Sequence, residues 1–291
     1  MKKIFSAITI FCCLALTATA QQLRVHQGTV TYVYPASLLE TMTYTDGGQT
    51  LTILGRSFAT AEIDSIKVTN VPSTFTPNSI NVDYAGNRAN VTVSGDIAAL
   101  VTVSVDGANV SVLADAALQE EVTYTLSGTS ASGSFLMDGE FKSTVVLNNL
   151  NLTSATGAAI DIENGKRIAV ELPEGTASTL ADAAGGTHKA CLFINGHAEF
   201  SGAGTLNLRG NTKHAYASDE YTQFKSSFGT FKVTSALSDG MHVEQYLQVD
   251  GGTFNISGVQ GDCVDVSATK DPLDEFNGQT FINAGTFVLN V

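Results

Sequence analysis

Tryptophan is absent from this sequence, proline occurs five times and cysteine four times in 291 residues, and 15 Lys and Arg face 28 Asp and Glu. Each shortage excludes something. Without tryptophan the chain lacks the broadest aromatic platform for a flat crystalline glucan face. Two of the cysteines, Cys12 and Cys13, lie in an N-terminal leader, so Cys191 and Cys263 alone remain, too few for the disulfide framework of a small secreted domain. A formal net charge of -13 repels phosphate backbones and anionic lipid heads, which makes nucleic acid and membrane surfaces poor partners. An anionic ligand would need a bridging cation. No apolar run after Leu16 is long enough to cross a bilayer, and no amphipathic helical stretch of useful length follows it.

What is present begins with Lys2 and Lys3, an apolar run from Ile4 to Leu16, and the small residues Ala18-Thr19-Ala20. This is the pattern of a cleaved export signal over residues 1–20, and it implies a secreted, periplasmic or cell-surface protein. β-branched and small residues then dominate, with Gly and Asn at short intervals, which predicts an all-β fold. Residues 21–70 read as a small N-terminal β module of antiparallel strands at Thr29 to Tyr34, Met42 to Tyr44, Thr50 to Leu54 and Ser65 to Val68, with a turn at Asp46-Gly47-Gly48. Val71-Pro72-Ser73 reads as a joint. Residues 71–122 alternate again and form either the first coils of the following domain or a small sandwich.

A repeat dominates residues 123–291. Gly-Thr-aromatic/Leu-x-aliphatic begins at Gly204, Gly229, Gly252 and Gly285, in steps of 25, 23 and 33 residues, the longest step absorbing an insertion at Lys270 to Gln279. Gly175-Thr176 reads as a degenerate earlier copy. A unit of this size with strands and no helix cannot hide its apolar edge alone, so successive units must stack at about 4.8 Å. The architecture expected is a single-stranded parallel β-helix.

Residues that share a phase stack on adjacent coils. His214, Asp239 and Asp262 form one such row, Asp219 and Glu244 a second, Tyr221 and Tyr246 a third. Stacked carboxylates repel unless water, a cationic side chain or a divalent ion intervenes, and calcium suits an oxygen-rich site of irregular geometry. Asp219, Asp239, Glu244 and Asp262, with Asp265 behind them, are the calcium candidates, against a plain reading as solvated corner residues. Tyr221 and Tyr246 would make a flat strip for sugar rings, or simply a hydrophobic stack. Neither His214, in the first row, nor His242 has a Ser-His-Asp or His-x-x-x-His arrangement around it, which predicts no catalytic residue. Cys191 and Cys263, about three coils apart, are expected to be buried thiols beyond disulfide reach. Asn148 and Asn149 are expected to start an internal amide ladder.

The series Tyr124-Thr125-Leu126-Ser127-Gly128-Thr129-Ser130, Val145-Val146-Leu147-Asn148-Asn149-Leu150, Gly157-Ala158-Ala159-Ile160-Asp161-Ile162, Gly165-Lys166-Arg167, Phe200-Ser201-Gly202-Ala203-Gly204-Thr205-Leu206, Lys213-His214 and Ser238-Asp239-Gly240-Met241-His242 resembles, in order, the Cthe-type carbohydrate-binding domain family. The resemblance covers roughly residues 75 to 291. It implies a secreted right-handed parallel β-helix of pectate-lyase-like fold that binds acidic plant polysaccharide such as polygalacturonate, and cellulose, holds calcium, and has no demonstrated lyase activity. His214, His242, Tyr221 and Tyr246 are then the expected carbohydrate contacts. The family's repeated Gly-Asp-Gly-Ile corner is kept at Asp239-Gly240-Met241, whereas Cys263 and Ala215 replace its second glycine on the neighbouring coils. Residues Leu51 to Leu54 and Ile63 to Ile66 resemble the N-terminal module of Bacteroidetes-type secreted proteins.

The expectation is therefore a non-catalytic polysaccharide-binding protein assisted by Ca2+. Two other classes stand beside it: a polysaccharide lyase with its base among Lys213, Lys225 and Lys232, and an adhesive surface protein without sugar specificity.

Overall fold

The computed structural model describes residues 21–39, 42–69 and 75–291. The leader and the joint at Val71-Pro72-Ser73 lie outside the described residues. Among the described residues every regular element is a strand or a short 3-10 turn, and no helix is long and apolar enough to cross a membrane.

Alternating β-branched and aliphatic residues set the strands. In Ser143–Thr153, Val145 and Leu147 are buried while Thr144 and Val146 are half-exposed, the period-2 pattern of a strand with one face on a core. The strands stack as rungs in three parallel columns. One runs through Arg167–Glu171, His197–Ser201, Thr222–Phe224, Tyr246–Val249 and Gln279–Ile282. A second runs through Ala177–Ala181, Thr205–Gly210, Thr230–Ala236, Thr253–Ser257 and Thr286–Asn290. The third runs through Ser134–Asp138, Ile160–Ile162, Ala190–Ile194, His214–Ser218, Met241–Glu244 and Val264–Ser267.

The repeat is in register. Thr205, Thr230, Thr253 and Thr286 are successive partners in the second column, and Leu206, Phe231, Phe254 and Phe287 follow them. The earlier copy at Gly175-Thr176 is displaced by one residue, because Ala177 is the partner of Thr205. Inside the columns Phe200, Phe224, Phe228, Phe231 and Phe254 pack ring against ring. Each such burial is worth about 1.5–3 kcal/mol.

Near the N-terminus, Gln22–Gln27 pairs antiparallel with Val30–Pro35 and Ser65–Thr69, and Met42–Thr45, Thr50–Ile53 and Arg56–Ala59 form a three-stranded sheet. The turn Asp46–Gly48 that joins its first two strands holds Gly47 at φ 68°, a conformation that suits glycine. Two hairpins follow, Ser79–Ala85 with Arg88–Ser94 and Val101–Asp106 with Asn109–Ala114. Both lay a strand parallel on the stack, Ser79–Ala85 on Val122–Ser130 and Asn109–Ala114 on Ser134–Asp138. One hydrophobic core therefore runs from Leu23 to Cys263.

The amide-ladder expectation for Asn148 and Asn149 fails. Both side chains are exposed. Asn149 sits at φ 51° and its Oδ1 accepts the Ala177 N–H at 3.0 Å, so it shapes a bend between two columns. Cys191 and Cys263 are buried free thiols, in keeping with their sequence reading.

Candidate functional site

The first column presents a row of aromatic rings at its edge. Ala198 pairs with Thr222 and Thr222 with Leu247, which sets His197, Tyr221 and Tyr246 one above another. His197 and Tyr221 stack with centroids 4.5 Å apart and planes 16° apart; Tyr221 and Tyr246 stack at 4.8 Å and 20°. Burial, then the neighbouring Glu199 and Tyr246, pushes the Tyr221 hydroxyl up to about 12.

This is not the flat strip the sequence suggested. Ring faces are spent on one another, and Phe276, from the insertion, meets Tyr246 edge-on at 5.6 Å. Tyr246 is only 8% exposed. His197 and Tyr221 stay half-exposed, and polar residues lie beside them. Glu199, Gln223 and Gln248 are successive register partners. The Gln223 amide donates to the Tyr246 hydroxyl at 2.8 Å, Lys225 donates to Gln223 at 2.6 Å and pairs with Glu199 at 3.1 Å, and Gln248 donates to Asp250 at 2.8 Å. The polar groups thus recur on three consecutive rungs.

The His/Asp row is also assembled. Tyr216 pairs with Met241 and Met241 with Val264, so His214, Asp239 and Asp262 fall in one line. His242 and Asp265 are register partners on the same face. His214 Nδ1 lies 3.0 Å from Asp239 Oδ2, and His242 Nδ1 lies 3.7 Å from that oxygen and 2.7 Å from Asp265 Oδ2. Asp262 does not turn its carboxylate inward; its N–H donates to Asp239 Oδ1 at 2.8 Å. Gly240 is needed for packing: a Cβ there would lie 2.4 Å from Ile256 Cγ2 and 2.8 Å from the Cys263 carbonyl.

Asp219 and Glu244 share the next line, since Ser218 pairs with Val243. Asp219 is ion-paired with Lys189. Burial, then the carboxylates of Asp274, Glu244 and Asp219, pushes the neighbouring Glu220 upward, as expected where like charges crowd a corner. Asp219 and Lys189 also line a cavity of about 240 Å³ with Asp161, Glu163, His188 and Phe193.

Calcium fits these places unequally. The corner of Asp219, Glu220 and Glu244 offers carboxylate oxygen, the donor calcium takes, with Lys189 already paired to Asp219. Around Asp239 the donors are two imidazole nitrogens and a carboxylate, and among the described residues this is the group of three ligating side chains whose donor atoms all lie within 4.8 Å. That set does not suit calcium. Sequence reasoning missed His197 and the Asp161–Glu163 pair. His197 lies one rung before Tyr221 but 22 residues after Gly175, where Tyr221 and Tyr246 lie 17 after Gly204 and Gly229, so the phase count passes it by; the others had no signal beyond their charge.

Residues 106–291 match the model of a family described as carbohydrate-binding domain-containing protein. A curated protein of that description from Acetivibrio thermocellus is 29% identical over 118 residues, covering 37% of this chain and 41% of the relative, so the match spans less than half of that protein's length. Among solved structures, a polysaccharide lyase-like protein from C. thermocellum, studied as a gadolinium derivative, superposes with a TM-score of 0.59 at 22% identity over 72% of this chain and 81% of its own. That likeness concerns the fold. The family model covers more than half of the chain, and this protein belongs to the carbohydrate-binding domain-containing protein family.

Proposed function

We propose that this is an exported, non-catalytic polysaccharide-binding protein whose rungs wind as a right-handed, single-stranded parallel β-helix. Its polar face receives a uronate-rich or cellulosic chain. The observation that carries the reading is the in-register row of Glu199, Gln223 and Gln248 beside Tyr221 and Lys225. A polymer laid across the rungs meets hydrogen-bonding groups repeated at strand spacing, with Lys225 as a cation for a uronate carboxylate. Calcium enters as a bridge: on a chain of net charge -13, an ion held by Asp219, Glu220 and Glu244 would take the uronate oxygens as its remaining ligands.

Affinity electrophoresis through gels containing polygalacturonate tests both parts. Retardation with calcium, lost on chelation, is the expected result, and equal mobility in every gel, cellulose derivatives included, would remove the reading in favour of an adhesive surface role. The polysaccharide lyase-like description of the structural neighbour supports a second reading, with Lys225 as the base. Lys213 and Lys232 are exposed, whereas Lys225 sits on the polar face but is held by Glu199 and Gln223. An ultraviolet assay for unsaturated products separates the two, and none is expected.

A further inference from the structure

We propose that His214, Asp239 and His242 form a binding site for a divalent transition ion of the Zn2+ type. This site is distinct from the polar face and does not depend on the polysaccharide reading.

Two adjacent rungs deliver the three donors, and a third carries Asp265 beside them. His214 comes from the strand His214–Ser218, Asp239 and His242 flank the start of Met241–Glu244, and Asp265 lies on Val264–Ser267. Because Asp239 and His242 are three residues apart across the strand start, His242 is brought over His214, and their rings stack at 4.5 Å and 16°. Both Nδ1 atoms then face one carboxylate oxygen, at 3.0 and 3.7 Å. In a tetrahedral zinc site with metal–ligand bonds of about 2.0–2.1 Å, neighbouring donor atoms are about 3.3 Å apart. The two distances bracket that spacing.

Proton placement points the same way. The Asp239 N–H approaches His214 Nδ1 at 3.3 Å, which asks for a lone pair on that nitrogen, while Asp239 Oδ2 at 3.0 Å asks for a hydrogen on it. A neutral imidazole cannot supply both at one atom. His242 Nδ1 is buried between two carboxylate oxygens and makes no aligned hydrogen bond with either. A cation among the three atoms takes the lone pair of each imidazole nitrogen and removes the conflict of His214 Nδ1 and His242 Nδ1 with the Asp239 carboxylate, and the Asp239 N–H then gives up His214 Nδ1 as its acceptor. Two imidazoles with a carboxylate select Zn2+ or a neighbouring first-row ion over Ca2+, which takes oxygen. His214 is 3% exposed and sits against the core, so an ion here would clamp two adjacent rungs together.

The test uses the full chain stripped by a chelator and dialysed, then titrated calorimetrically with ZnCl2, CoCl2 and CaCl2, with thermal melting followed in parallel. Expected are a single-site isotherm for zinc, a visible absorption band of four-coordinate Co2+, a higher melting temperature with zinc, and no saturable signal for calcium at this site. His242→Gln should abolish the zinc isotherm while leaving the circular dichroism spectrum of the metal-free protein unchanged, and Asp239→Asn should do the same should His242→Gln fold poorly. Absence of zinc binding, or a zinc isotherm that survives both substitutions, overturns the proposal, as does calcium competing with zinc on equal terms.

Discussion

The Gln223 side-chain amide reaches from one rung to the Tyr246 hydroxyl on the next, at 2.8 Å. It joins the buried ring stack to the surface polar row, and the two residues should therefore respond differently to removal.

Gln223→Ala is expected to weaken polysaccharide retention by about fivefold, the worth of one hydrogen bond of about 1 kcal/mol, with little change in melting temperature. Tyr246→Ala is expected to destabilise the protein, because a ring that is 8% exposed and packed between Tyr221 and Phe276 leaves a void. Affinity gels and denaturant melts on the same two variants check this; equal loss of binding with unchanged stability in both would assign the tyrosine to the ligand instead.

Phe224 is fully buried among Phe200, Phe228, Phe231 and Phe254. Phe224→Ala should cost about 3–5 kcal/mol in urea or guanidinium unfolding. A cost under about 1 kcal/mol would mean that the ring stack collapses to refill the space.

Asp161 lines the 240 Å³ cavity with one carboxylate oxygen buried and lacking a hydrogen bond. Burial raises its pKa above 3.8, against smaller lowering effects from Glu163, His188 and Lys189. A carboxyl raised on folding favours the folded state while it stays protonated, and that contribution is lost as pH rises through the folded value. Asp161→Asn should therefore raise the melting temperature at pH 7. The gain should shrink as pH falls through the raised folded value and vanish below 3.8, where the Asp161 carboxyl is protonated in both states. A gain independent of pH would point to packing instead.

The Cys191 thiol is fully buried and its pKa is pushed well above the usual thiol range by burial and by Asp182. Under native conditions at pH 8 a thiol reagent should leave Cys191 unmodified, and denaturant should release it. Prompt native labelling of Cys191, read by mass spectrometry, would contradict the buried placement.

What the sequence determined by itself was the period and its phase. A parallel stack puts each residue over its counterpart one coil away, so Thr205, Thr230, Thr253 and Thr286, or His214, Asp239 and Asp262, could be lined up by counting. Counting breaks down where the chain leaves the period. Phe276 arrives from an insertion and covers Tyr246, and Asn149 turns outward at a left-handed bend. Counting is also silent on which way a side chain turns within its row. Asp239 and Asp262 share a line, yet one carboxylate accepts the other's backbone N–H, while His242, from a different row, swings over His214. Rung register follows from repeated backbone hydrogen bonds and is written in residue spacing; the convergence of donor atoms depends on side-chain torsions and on loops packed from outside the repeat, and only the folded chain supplies those.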